Sequence, residues 1–181
     1  MSSDALAPRG AAAPAGAGGS HKYLSFTLRG EVYAMAIEQV KEIIEFGQIT
    51  TVPMMPAYMR GVINLRGAVV PVVDLSRRFG GEASVVGRRT CVVILELSQP
   101  DASRQVIGVI VDAVNAVLDI APDAIEPPPS FGTSVRPDFV RGMGKVKDRF
   151  VVILDVQRTL SLDELNALRE LPSAAEGSLA A

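Results

Sequence analysis

The chain has little of the chemistry from which enzymes and metal proteins are built. It contains one cysteine, Cys91, one histidine, His21, and no tryptophan in 181 residues. A single cysteine excludes an intramolecular disulfide, and one cysteine with one histidine cannot complete a Cys/His zinc site. That usage suits a reducing, cytoplasmic setting. Aromatic residues are 5% of the chain, and 18 Lys and Arg stand against 20 Asp and Glu, a formal charge of -2. No positive field is available to hold a phosphate backbone, so nucleic acid is not an expected partner. No apolar run reaches the roughly 20 residues that span a bilayer. The longest, around Val92–Leu95 and Val106–Val111, are strand-sized. The start of the chain also lacks a signal-peptide apolar core, and no membrane insertion is expected.

What is present is apolar side chain. Hydrophobic residues are 48% and mean hydropathy is +0.27, enough to bury a large core in one compact domain or in two small barrels that share one. Residues 1–20, rich in Ala, Gly and Pro, read as a flexible tail, and the fold is expected over 21–171. Near its end, Ser161 with Glu164 makes a capping box, and Leu162, Leu165, Leu168 and Leu171 recur every third residue, which predicts a C-terminal helix. Residues 172–181 read as a second tail. Between these ends lie short β-type runs: Tyr23–Leu28, Glu31–Met35, Gly61–Leu65, Val69–Asp74, Thr90–Leu97, Gln105–Val111 and Phe150–Val156. Turn residues separate them at the spacing of small barrels. Tight hairpins are expected at Arg29-Gly30 and Arg66-Gly67. Helical spacing is confined to Ile37, Val40 and Ile44 and to the turn Leu75–Phe79.

The most informative pattern is an internal repeat. Residues 31–44, EVYAMAIEQVKEII, lie over 105–118, QVIGVIVDAVNAVL, at an offset of 74. After a seven-residue insertion the offset is 81, and 58–75 lies over 139–156, pairing Arg60-Gly61 with Arg141-Gly142 and Asp74 with Asp155. Two copies of one supersecondary unit, in blocks 31–75 and 105–156, are expected, each gaining by packing on the other.

Candidates for catalysis are few. His21 lies at the edge of the tail, Cys91 opens the apolar run CVVIL, and the glycines of the tail do not follow a strand as a phosphate loop would. Glu42 with Glu45, or Asp74 with Asp155, could form an acid pair, but an Asp at a strand end more often caps the turn that follows. No catalytic, cofactor or metal residue is assigned. The residues that break the simple β pattern are Asn64-Leu65-Arg66-Gly67, an amide and a guanidinium at a hairpin tip where the second repeat has Lys145-Val146-Lys147-Asp148. Arg66 offers a planar fork of donors to a partner's carboxylate or carbonyls, or else braces the turn against Glu42 or Glu45.

In order and spacing, KYLSFTLRGEVYAMAIEQVKEI, PAYMRGVINLRGAVVPVVDLSRRFG, IGVIVDAVNAVLDI and FVRGMGKVKDRFVVILDV closely resemble the bacterial chemotaxis coupling protein family, CheW, over about residues 22–171. The resemblance implies a mainly β fold of two pseudo-repeated five-stranded SH3-like barrels that share a hydrophobic core. It implies a cytoplasmic, non-enzymatic adaptor, recruited to membrane receptor arrays, that binds the regulatory domain of the chemotaxis histidine kinase and the cytoplasmic tip of methyl-accepting receptors. The family's receptor-facing groove maps onto Ile37, Val40, Glu42, Gly61, Asn64, Arg66 and Gly67, with Arg66 expected to meet Glu42. The Ala/Gly/Pro tail, Met54-Met55-Pro56 and Pro127-Pro128-Pro129 depart from the pattern. Other readings are an adaptor of a twitching or gliding pathway and a small-ligand or oligonucleotide-binding barrel.

Overall fold

The structure, a computed structural model, describes residues 21–99, 101–128 and 137–160. The expected tails and the expected helix over 161–171 lie outside the described residues. The described chain is mainly β. Its strands are β1 (His21–Leu28), β2 (Glu31–Ala36), β3 (Val40–Glu45), β4 (Met59–Leu65), β5 (Ala68–Asp74), β6 (Cys91–Ser98), β7 (Arg104–Val111), β8 (Ala113–Ile120), β9 (Ile125–Glu126), β10 (Val140–Val146) and β11 (Arg149–Leu154). Two one-turn helices, α1 (Leu75–Arg78) and α2 (Val156–Thr159), follow β5 and β11.

The strands form two sheets, one in the order β8-β1-β2-β11-β10-β9 and one in the order β3-β6-β7-β5-β4. The repeat and the sheets do not coincide. The six-stranded sheet joins β2 of the first repeat block to β8, β9, β10 and β11 of the second, and the five-stranded sheet joins β7 of the second block to β3, β4 and β5 of the first, while β1 and β6 precede their blocks. Equivalence nevertheless holds to the residue. The parallel pair Val72↔Gly108 has its counterpart, at the two offsets, in Ile153↔Ala34. The bulge between Met59 and Gly61 has its counterpart between Val140 and Gly142. The two-residue β9 adds a sixth strand where five are expected. It lies against Met143 and Gly144, and a Cβ on the adjacent Gly142 would stand 2.6 Å from Ile125 Cγ2.

The helical spacing expected at Ile37, Val40 and Ile44 is not realised. Only Ile37–Gln39 makes a 3-10 turn, and Val40–Glu45 is a strand whose burial alternates residue by residue. A period of two with three β-branched residues outweighs the coincidence of an i, i+3, i+7 match. The two expected hairpins are present. Arg29 and Gly30 have φ of 54° and 81°, Arg66 and Gly67 of 53° and 90°, the pair of positive values that a two-residue turn of right-handed twist requires. Lys147 and Asp148, at 46° and 65°, make the equivalent turn without glycine.

Three apolar clusters fill the molecule. The largest lies between the sheets and includes Phe26, Leu28, Tyr33, Leu95, Leu97 and Ile107. The six-stranded sheet encloses Tyr23, Ala34, Ile120 and Ile153, and the five-stranded sheet encloses Val72, Val92, Ile94 and Ile110. The side chains of each strand alternate between its own sheet's cluster and the shared one, as at Val92 and Val93. Arg78 ties the repeats together. Its guanidinium stands 4.8 Å from the ring centre of Tyr58 and 4.9 Å from that of Phe139, two repeat-equivalent aromatics, and its Nε donates to the Thr159 carbonyl at 2.7 Å.

Candidate partner-binding site

Of the sequence-expected residues, the structure joins Glu42 to Arg66 and Asn64 to Gly67 at the β4–β5 turn, while Gly61, Ile37 and Val40 lie elsewhere on β4 and at the entry to β3. The edges of the five-stranded sheet are β3 and β4, yet the sheet is curled so far that the β4–β5 turn reaches β3. Arg66 Nη1 donates to Glu42 Oε2 at 2.7 Å and Nη2 to Oε1 at 2.9 Å, a two-pronged pair that closes the curl. Of the two acids expected, Glu42 is therefore the partner, and the reason lies in the strand. A register shift between Val40 and Glu42 leaves Lys41 unpaired. This bulge carries β3 from the central cluster, against which Val40 packs, to the sheet's own cluster, against which Ile44 packs. Glu42 is half-buried beside the turn, while Glu45 stands exposed opposite Cys91.

The turn itself is braced. Asn64 Oδ1 accepts from the Gly67 amide at 3.0 Å, so the amide of the Asn-Leu-Arg-Gly motif holds the loop that presents Arg66. Gly61 is buried at the bulge with φ of 148°, where a side chain would collide with the Thr50 carbonyl and stand 2.8 Å from Ile49 Cγ2. It shapes β4 and offers no surface. Ile37 and Val40 are half-buried where the chain passes from β2 in one sheet to β3 in the other, packed on the central cluster. The Arg66 side chain is 70% exposed even while bound. Glu42 is held below the ordinary carboxylate value by the Arg66 hydrogen bond, against a smaller opposing effect of burial, and Arg66 is raised in return by Glu42.

Two residues that sequence reasoning passed over lie exposed on the strands next to this pair, β3 and β5. Ile43, beside Glu42, is 42% exposed, and Val69, paired with Asn64 across the hairpin, is 69% exposed. Their signal was their place in alternating strands, one residue out of step with the buried positions.

The other candidates have structural duties or no activating surroundings. Asp74 is 1% exposed and caps α1. It accepts from the Ser76 amide at 3.1 Å, from the Ser84 amide and hydroxyl at 2.8 and 2.7 Å, and from Arg60 at 3.0 Å. Asp155 caps α2, accepting from the Arg158 amide at 3.1 Å. His21 is exposed at the start of β1. The Cys91 thiol is pushed up by burial and then by the Glu45 charge, the reverse of what a nucleophile needs.

Comparison with known proteins agrees with this architecture. The CheW-like domain matches residues 22–164. The chain is 32% identical to "Chemotaxis protein CheW" of Klebsiella aerogenes over 144 residues, 80% of this chain and 84% of that one. It is 31% identical to the protein of the same name from Bacillus subtilis, over 77% of this chain and 86% of that one. The crystal structure of the scaffolding protein TtCheW from Thermoanaerobacter tengcongensis superposes with a TM-score of 0.70 at 33% identity, covering 80% of this chain and 90% of that one. The chain thus belongs to the CheW-like domain family.

Proposed function

We propose that this chain is a non-enzymatic chemotaxis adaptor that couples methyl-accepting receptors to the chemotaxis histidine kinase. It works in the cytoplasm and is recruited to receptor arrays. The observation that carries the reading is the exposed Arg66 guanidinium held by Glu42 at the β4–β5 turn, with Ile43 and Val69 exposed on the adjoining strands, in a chain of this family. A cation rim around apolar area is the composition that orients and then holds a protein partner. Coupling of this kind makes no bond. The adaptor holds receptor tip and kinase regulatory domain at high effective concentration, so one controls the other through geometry. Ile37 and Val40 extend the same surface toward the junction of the two sheets, and Gly61, Asn64 and Gly67 set its shape.

The test is capture of the kinase regulatory domain by the purified chain, followed by addition of a receptor cytoplasmic fragment and assay of kinase activity. The expected result is binding to both and receptor-dependent activity. Arg66→Asp is expected to weaken receptor capture far more than it lowers the melting temperature. Loss of both in proportion would reduce Arg66 to a structural brace and remove the proposed contact.

A further inference from the structure

The second repeat breaks the clasp that closes the first. At the two offsets Glu42 corresponds to Ala116 on β8 and Arg66 to Lys147 in the β10–β11 turn. Among the described residues no carboxylate spans this gap, and between β8 and the turn the six-stranded sheet opens into a cleft of about 860 Å³. Its apolar lining includes Leu118, Val146, Phe150 and Val152, and Phe150 is 52% exposed. Lys147 and Arg149, also in the lining, make no ion pair among the described residues. The one acid among the described lining residues, Glu31, accepts from the Tyr33 hydroxyl at 2.9 Å.

The free edge differs too. β8 and β3 are equivalent edge strands. β3 carries Lys41, Glu42 and Glu45, the charges with which proteins blunt an edge against strand addition. Over the same stretch β8 reads Asn115, Ala116, Val117, Leu118 and Asp119, with Val117 51% exposed and Asp119 tied to Lys22 at 2.9 Å. An unblunted edge beside unpaired cations and apolar walls suits one kind of occupant.

We propose that this cleft receives an extended acidic segment of a partner protein. Its backbone adds to β8, its carboxylate meets Lys147 as Glu42 meets Arg66, and its apolar side chains meet Val146 and Phe150. The site is on the opposite sheet from Arg66 and does not depend on the reading of that residue.

The test uses the full chain, 15N-labelled, with two synthetic probes, the blocked hexapeptides VEVEVE and VQVQVQ. The glutamate peptide is expected to bind more tightly at low salt by up to about fivefold, the advantage one charge pair gives, with the gap narrowing in 0.5 M salt. Amide shifts are expected in β8 and the β10–β11 turn. K147E should reverse the preference toward the peptide VKVKVK. A116E, which installs the carboxylate of the first repeat, should weaken binding of VEVEVE without loss of fold, both positions being exposed. Equal binding of the glutamate and glutamine peptides, no binding, shifts elsewhere, or indifference to A116E would each overturn the proposal. Self-association abolished by K147E would place a second copy there and overturn it equally.

Discussion

Asp74 and Asp155 occupy the same place in the two repeats, and the contrast between them gives a controlled experiment. Both cap a one-turn helix. Asp74, however, is buried and accepts four hydrogen bonds, from two amides, a hydroxyl and the Arg60 guanidinium. The Asp155 side chain is 32% exposed and accepts one cap bond, with Arg158 Nε at 3.9 Å. Removal of a buried charge orphans its donors, and a broken buried pair costs about 3–5 kcal/mol. The Arg60 side chain is 31% exposed and can turn toward water, so the lower end, about 3 kcal/mol, is expected for Asp74→Ala. Asp155→Ala should cost about 1 kcal/mol, the ordinary value of a cap. In a chain of this size these figures correspond to about 6–12 °C and about 2–4 °C in melting temperature. Urea unfolding of both variants against the parent measures the difference. Equal losses, or a larger one at Asp155, would refute the claim that burial and bond count set the value of this position.

Other perturbations follow from the same geometry. Gly61→Ala meets both a strained φ and the Thr50 backbone, and a loss of about 2–4 kcal/mol is expected by denaturant titration; a neutral result would mean that Ile49–Thr50 moves aside freely. Arg78→Leu removes two ring contacts and the bond to Thr159 and should cost about 1–3 kcal/mol in thermal unfolding; an unchanged midpoint would deny it a role in joining the repeats. The folded-state value of Glu42 lies below its ordinary 4.5, so the clasp is fully present above that pH and is lost as pH falls through the lowered value. Carboxyl NMR should report a midpoint below 4.5 in the parent and an upward shift in Arg66→Ala; a parent midpoint at or above 4.5 would exclude the clasp in solution.

The sequence made some layers of this structure legible and hid others. Runs such as CVVIL and VVPVV announce strands because β-branched residues bounded by turn residues have few other uses, and the caps at Asp74 and Asp155 followed from their position after such runs. β3 and β8 were obscured, the first because VKEIIE also fits a short helical spacing, the second because Asn115 and Asp119 interrupt the apolar run of AVNAVLDI. Pairing was harder still. The repeat disclosed which residues are equivalent, but which copy supplies a neighbouring strand depends on the path of the connection, and no local preference records that. At the site, the residue pattern alone left Glu42 and Glu45 equal as partners of Arg66; the family resemblance favoured Glu42, and the bulge at Lys41 is the physical reason that it faces the turn. Ile43 and Val69 escaped notice because exposure of an apolar side chain is a property of the curl and not of the run.

The exchange of strands between repeats has a consequence for how the protein is made. The five-stranded sheet uses residues between Val40 and Val111 and can close as soon as that stretch has left the ribosome. The β1–β2 hairpin, made before the other described strands, must wait with both outer edges bare until β8 and then β11 arrive to flank it. Neither repeat, cut free of the other, holds a whole sheet. Synthesis therefore leaves this hairpin exposed for longest of the described strands, and the surfaces at risk of wrong pairing on the ribosome belong to it.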